Sequence, residues 1–219
     1  MQISLSSICE YRKGKVAVSS LNEANYISTE NMLPNKGGVT AAASLPKASQ
    51  TQRYCKGDVL VSNIRPYFKK IWQATCDGGC SNDVLVFQAK DGTNPDFLYY
   101  VLSDDSFFTY STATSKGTKM PRGDKASIMR YSAPFFPVRA QKAIAGILGS
   151  LDDKIALNNR INDNLQQQLY LIFQSNIAKN PSLGLMEKFP LNDLCTTVTK
   201  GTTPTTLGKP FVARGELTS

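Results

Sequence analysis

Histidine is absent from the 219 residues. That excludes the Ser-His-Asp and Cys-His arrangements, which need an imidazole to activate a nucleophile. There is no G-x-x-x-x-G-K-[ST] phosphate loop and no G-x-G-x-x-G turn. The paired acids Asp104-Asp105 and Asp152-Asp153 read as solvated faces or helix N-termini. No catalytic residue is expected. The five cysteines are odd in number, which fits a reduced compartment. Cys76 and Cys80 form the one close pair, spaced C-x3-C, and Cys9, Cys55 or Cys195 would have to converge on them from far away. We read these as thiols buried near a turn, with no metal site. No run approaches the roughly 18 apolar residues of a membrane span. The start, Met1-Gln2-Ile3-Ser4-Leu5, lacks a basic segment followed by an apolar one. A cytoplasmic protein without membrane contact is expected.

What is present is enough apolar matter for a core and an excess of positive charge. Hydrophobic residues make up 41% of the chain, and the mean hydropathy is −0.24. The net charge is +8, which suits a polyanionic partner.

Residues 1–138 read as a mixed α+β domain. Asp58-Val59-Leu60-Val61-Ser62, Lys70 to Thr75 and Asp83 to Phe87 have strand composition. Asn63 and Pro66 mark the turn between the first two, and Asp77-Gly78-Gly79 reads as another turn. Pro95 opens a helix over Asp96 to Leu102. Residues 111–124, rich in Ser, Thr, Gly and Lys, read as an exposed loop, and Tyr131 to Phe136 as a last strand.

From about Arg139 to Lys179 the period becomes helical. Ile144, Leu148, Leu151, Ile155, Leu165, Leu169 and Ile172 recur in steps of four and three, with Asn158 and Asn162 in register. This is a seam for a helical pair, formed within one chain or between two. Forty residues of helix would run about 60 Å. Gly146 and Gly149 leave room for a kink or break near Gly149-Ser150. Beyond Pro181, Leu191-Asn192-Asp193-Leu194-Cys195 echoes Leu5-Ser6-Ser7-Ile8-Cys9, as if a second copy of the unit were opening.

The charge is concentrated in two segments. Arg53, Lys56, Arg65, Lys69 and Lys70 stand against Asp58, and Lys116, Lys119, Arg122, Lys125 and Arg130 against Asp124. Both mix cations with groups that hydrogen-bond or stack on nucleic acid: Asn63, Arg65 and Tyr67 in the first, Ser115 to Arg122 in the second. Asp91 to Asp105, by contrast, has four acids and no base. The tripeptide Arg122-Gly123-Asp124 is taken as chance.

Several motifs, in order, resemble the specificity subunits of type I restriction-modification systems. They are Tyr26 to Met32; Gly57 to Tyr67 with Lys69-Lys70; Asp77 to Asp83 followed by Val84-Leu85-Val86-Phe87; Gly117 to Arg122; and Gln141 to Leu148 with Leu151 to Asn158 and Ile161-Asn162. The resemblance implies a target-recognition domain over 1–138, a conserved-region helix over 139–180 for spacing, docking and dimerisation, and the start of an incomplete second recognition repeat over 181–219. The fold class is thus α+β, a mixed α/β domain followed by a long coiled-coil-like helix. The implied function is sequence-specific recognition of double-stranded DNA by Asn63, Arg65, Tyr67, Lys69, Lys70, Lys116, Lys119 and Arg122. Arg65, Lys69, Lys119 and Arg122 lead that set. The implied partners are methyltransferase and restriction subunits, which would carry S-adenosylmethionine, ATP and Mg²⁺; this chain would hold no cofactor. With one complete recognition domain, the chain would be a half or truncated subunit, able to form a homodimer through its seam. Half-sites across such a helix could lie at most about 17 base pairs apart. The rival expectation is a coiled-coil assembly protein whose basic patches bind acidic protein, with no preference among DNA sequences.

Overall fold

Two strands, Val59–Ser62 (β6) and Val84–Ala89 (β9), form the centre of the fold. They pair antiparallel, with Val59 opposite Phe87 and Val61 opposite Leu85. Every residue of β6 is buried, because both faces of this sheet are covered. Val59, Val61, Leu85 and Phe87 face a helical layer and share a cluster with Leu98, Leu102, Phe107 and Phe108. Leu60, Val84 and Val86, on the alternate face, join Ile27, Tyr54 and Cys80 of a second sheet. That is why these strands are continuous apolar runs rather than alternating ones. Each fully buried side chain of this size contributes about 1.5–3 kcal/mol.

The computed structural model describes residues 2–179, with side chains through Ser175. The remaining strands, in chain order, are Gln2–Ser4 (β1), Cys9–Tyr11 (β2), Lys15–Ala17 (β3), Tyr26–Ile27 (β4), Gln50–Tyr54 (β5), Ile71–Gln73 (β7), Gly78–Cys80 (β8) and Ser132–Pro134 (β10). The sheets run β2-β9-β6-β7, β3-β5-β8-β4 and β1-β10. All pairings are antiparallel except β4 with β8.

The helical layer begins with Pro95–Ser103 (α1) and Asp105–Ala113 (α2). Asn94 caps α1 by accepting from the Phe97 amide at 2.8 Å, and Asp104 caps α2 by accepting from the Ser106 amide at 2.8 Å. The acidic run Asp91 to Asp105 thus supplies a first-turn acid to α1 and both the cap and a first-turn acid to α2, where the helix dipole favours them. A short turn of helix, Lys125–Ile128 (α3), is capped by Asp124.

The last helix, Val138–Lys179 (α4), follows Pro137. The chain divides between Asn158 and Asn159 into two units, so the first turns of α4 fold with the sheets. Gln141 is the anchor. Its side chain is 1% exposed, accepts from the Asn94 amide at 2.8 Å and donates to the Phe136 carbonyl at 2.8 Å. Tyr100 donates to Asp152 at 2.8 Å three turns further on, and Ile144 and Ala145 pack on the core.

Four local expectations are corrected. Gly78-Gly79 is strand, not turn. A Cβ on Gly78 would lie 2.2 Å from the Asn25 carbonyl oxygen, and one on Gly79 2.6 Å from Leu21 Cδ1. The glycines are there for close packing of β4, β5 and β8, not for a bend. The loop expected at 111 starts after Ala113, because the Asp104 cap sustains α2 to that point. The strand expected over Tyr131 to Phe136 is limited to the three residues that pair with β1. The break that Gly146 and Gly149 left room for is absent, since helix α4 runs through Gly149-Ser150; the Gln141 and Asp152 contacts hold it on either side, and each glycine costs only about 1 kcal/mol.

Candidate nucleic-acid interface

The link from β6 to β7 carries the first basic segment. Arg65 and Lys69 both adopt the left-handed conformation, with φ of 50° and 51°. They frame a single 3-10 turn, Pro66–Phe68. The Phe68 amide donates to the Arg65 carbonyl at 3.0 Å, and the Lys69 amide to the Pro66 carbonyl at 2.9 Å. A non-glycine residue held in this conformation costs on the order of 1 kcal/mol. Two long cationic side chains therefore occupy positions where glycine would be easier, which points to a use for those side chains.

The second basic segment folds back on itself. Lys116 and Arg122 exchange two backbone hydrogen bonds, both 2.9 Å, and close a small loop whose Gly117 has φ of 94°. The two segments, half a domain apart in sequence, then join. The Arg65 amide donates to the Pro121 carbonyl at 2.8 Å, and the Gly123 amide to the Asn63 carbonyl at 3.1 Å. They form one surface.

A third segment was not anticipated. The Asn35 amide donates to the Phe68 carbonyl at 2.8 Å and the Lys36 amide to the Lys69 carbonyl at 2.9 Å, with both residues at positive φ. Asp105, at the start of α2, bridges the ammonium groups of Lys36 and Lys69 at 2.9 Å each. Those two ammoniums hold the Asp105 carboxyl below its usual range. The only sequence signal for Lys36 was its place in Asn35-Lys36-Gly37-Gly38.

The other expected contacts differ in their surroundings. Lys116 pairs with Asp124 at 2.5 Å and Arg122 with Asp83 at 3.3 Å. The Lys116 ammonium and the Ser127 amide draw the Asp124 carboxyl down to about 2. Lys70 donates to the Thr29 carbonyl at 2.6 Å. Lys119 is exposed and has no carboxylate partner among the described residues. Asn63, in contrast, is buried behind the surface at 8% exposure. Its Oδ1 and the Arg65 Nε are buried without a hydrogen-bond partner among the described residues.

Exposed ion pairs of this kind are worth little individually, so a phosphate can exchange for the carboxylate at small cost. Among these cations the surface also exposes apolar groups. Tyr67 and Phe68 are exposed with ring centroids 4.8 Å apart, and Leu33 and Met120 are exposed on the neighbouring segments. Cations mixed with aromatic faces suit a nucleic acid.

The expected seam behaves differently along its length. Ile144 and Leu148 are half-buried against the first unit, whereas Leu151, Ile155 and Asn158 are exposed. In the second unit Asn162, Leu165, Leu169 and Ile172 are exposed. The echo at Leu191 to Cys195 lies outside the described residues. Among the described residues, no group of three His, Cys, Asp or Glu could hold a metal ion, and no helix is long and apolar enough to cross a membrane.

Fold and surface together define a small α+β domain with a cationic, aromatic-tipped loop face, followed in the chain by a long helix. Residues 1–167 match the model of the type I restriction modification DNA specificity domain. The chain belongs to that family. It is 27% identical over 148 residues to the type I restriction enzyme EcoDI specificity subunit of Escherichia coli, an alignment covering 62% of this chain and 33% of that protein. The fold is shared with the HsdS subunit of Thermoanaerobacter tengcongensis, at a TM-score of 0.56 and 18% identity, over 87% of this chain and 51% of that one. A chain from a structure of type I R-M complex assembly gives a TM-score of 0.58 at 19% identity, with the same coverage of both chains. This chain thus spans about half the length of those solved chains and a third of the curated relative.

Proposed function

We propose that this chain reads a short DNA sequence as a specificity subunit, or half of one, of a type I restriction-modification complex. The observation that carries the reading is the backbone tie between Asn63–Arg65 and Pro121–Gly123. It gathers two basic segments, separate in sequence, into one face with an aromatic tip. Arg65, Lys69, Lys119 and Arg122 are the leading contacts, with Tyr67, Lys70 and Lys116 beside them and Asn63 supporting from behind. Lys36 and Phe68 join the set.

The chain itself performs no chemistry in this reading. It directs methyltransferase and restriction subunits, which bring S-adenosylmethionine, ATP and Mg²⁺. The exposed apolar residues of α4 beyond Leu148 dock a partner helix, either from a methyltransferase subunit or from a second copy of this chain. Residues 1–138 act as the recognition domain, 139–180 as spacer, and 181–219 as the opening of a second repeat.

The test is selection of bound sequences from a randomised duplex pool, with and without the methyltransferase subunit, at two salt concentrations. A short enriched motif is expected, repeated across a fixed gap if the chain dimerises. Salt-sensitive binding that enriches nothing, even with the partner, would overturn the reading and favour an assembly protein with non-specific basic patches.

A further inference from the structure

Beside the reading face lies a small cavity of about 170 Å³. Tyr11, Arg12, Gln52, Asn82, Val84 and Lys125 line it. Two of these residues adjoin the carboxylates that hold the second basic segment. Asn82 precedes Asp83, the partner of Arg122, and Lys125 follows Asp124, the partner of Lys116. The cavity therefore flanks the face rather than lying behind it.

We propose that this cavity seats one phosphodiester of the DNA backbone, just outside the base pairs that the loops read; the proposal rests on the DNA-reading function given above. Arg12 has one side of its guanidinium committed to Asp58, through Nε and through a terminal nitrogen at 2.9 Å from Oδ1. Asp58 is itself buried at 4% exposure and also accepts from the Cys55 amide at 2.7 Å. This locks the guanidinium in place. Its other terminal nitrogen has no partner among the described residues. Lys125 is exposed, lies 6.0 Å over the Tyr11 ring, and pairs with no carboxylate among the described residues. Tyr11 is fixed in turn, since its hydroxyl donates to the Lys125 carbonyl at 3.0 Å. The exposed amide of Asn82 adds a donor at the rim.

The charge count selects the ligand. Arg12 and Lys125 against Asp58 leave one net positive charge, which matches a phosphodiester monoanion rather than a dianionic phosphate monoester. At about 170 Å³ the cavity has room for a phosphate group. Such a contact fixes register on the duplex and carries no sequence information.

The test uses the full chain with its methyltransferase subunit and the duplex it selects. Lys125→Gln should lower the slope of log K against log salt by about 0.9, which is about an eightfold loss at 0.1 M salt relative to 1 M. Base preference should not change, and Lys125→Arg should restore the slope. Methylphosphonate scanning should find one linkage, outside the read bases, whose neutralisation weakens the wild type but not Lys125→Gln. An unchanged slope, or equal penalties for both proteins at every linkage, overturns the seat and leaves the reading face intact. Saturation by low-millimolar inorganic phosphate, with duplex binding unaffected by Lys125→Gln, would also overturn it, as a free-anion site. A wild type that enriches no sequence refutes the DNA-reading function itself.

Discussion

Gln141→Ala is the substitution whose outcome the structure constrains most tightly. The side chain is 1% exposed and makes two good hydrogen bonds, to the Asn94 amide and the Phe136 carbonyl, plus a longer one to the Gly92 carbonyl at 3.4 Å. Both near partners are backbone groups that lose their bond when the amide is removed. A buried polar group left unsatisfied costs about 1–3 kcal/mol. With partial relief from water entering the vacated space, the expected loss is about 3 kcal/mol in total. For a unit of this size, 1 kcal/mol moves Tm by about 2–4 °C, so Tm should fall by about 6–12 °C. Scanning calorimetry measures the shift, and exchange of the Asn94 amide reports the local opening. Gln141→Glu adds a signature. The carboxylate can still accept from Asn94, but it faces the Phe136 carbonyl with nothing to donate. Burial would raise its pKa above the unfolded value, so stability should be lowest at neutral pH and recover as pH falls and the acid gains a proton. A Tm for Gln141→Ala within 1 °C of wild type would refute the view that this residue anchors α4.

The other predictions concern the glycine strand, the second basic loop and the thiols. Gly78→Ala should destabilise more than Gly79→Ala, because its Cβ meets the rigid Asn25 carbonyl at 2.2 Å while that of Gly79 meets movable side chains at 2.6 Å; chemical denaturation ranks the two. The Asp124 carboxyl should titrate near 2, below the ordinary value of about 3.9. Since its folded pKa is depressed, the tether of the Lys116 loop is intact above about pH 4 and is lost as pH falls through 2; the Ser127 amide resonance follows it. Asp124→Asn keeps a capping side chain but should abolish that titration. Of the cysteines in the described residues, Cys76, expected to be buried, is instead exposed and should react with maleimide first. Cys9 and Cys80, buried and pushed up to about 12, should react only on unfolding.

The legible parts of the fold were those whose cause is local. The runs in β6 and β9 announce themselves by composition, and Pro95 marks the start of α1; the Asn94 cap beside it came only with the structure. Gly78-Gly79 was misread because the groups they make room for, at Asn25, Leu21 and Thr51, are far away in sequence. Strands β1 to β5 have five residues or fewer, and all but the two-residue β4 mix polar with apolar residues; in β5 only Thr51 and Tyr54 are buried among polar neighbours. The basic segments were visible one at a time. Their union was not, because backbone hydrogen bonds make it, and these have no side-chain signature. Nor was the split use of the helical seam, since the Ile144 and Leu148 environment depends on how α4 docks.

That union has a consequence for how a new target could arise. The hydrogen bonds that join Asn63, Arg65, Pro121 and Gly123 run between amides and carbonyls. A mount built from main chain takes no account of which side chains project from it. The groups at 67, 119 and 122 can be exchanged without dismantling the mount, so selection can retune what is read one position at a time while the frame that presents it stays in place.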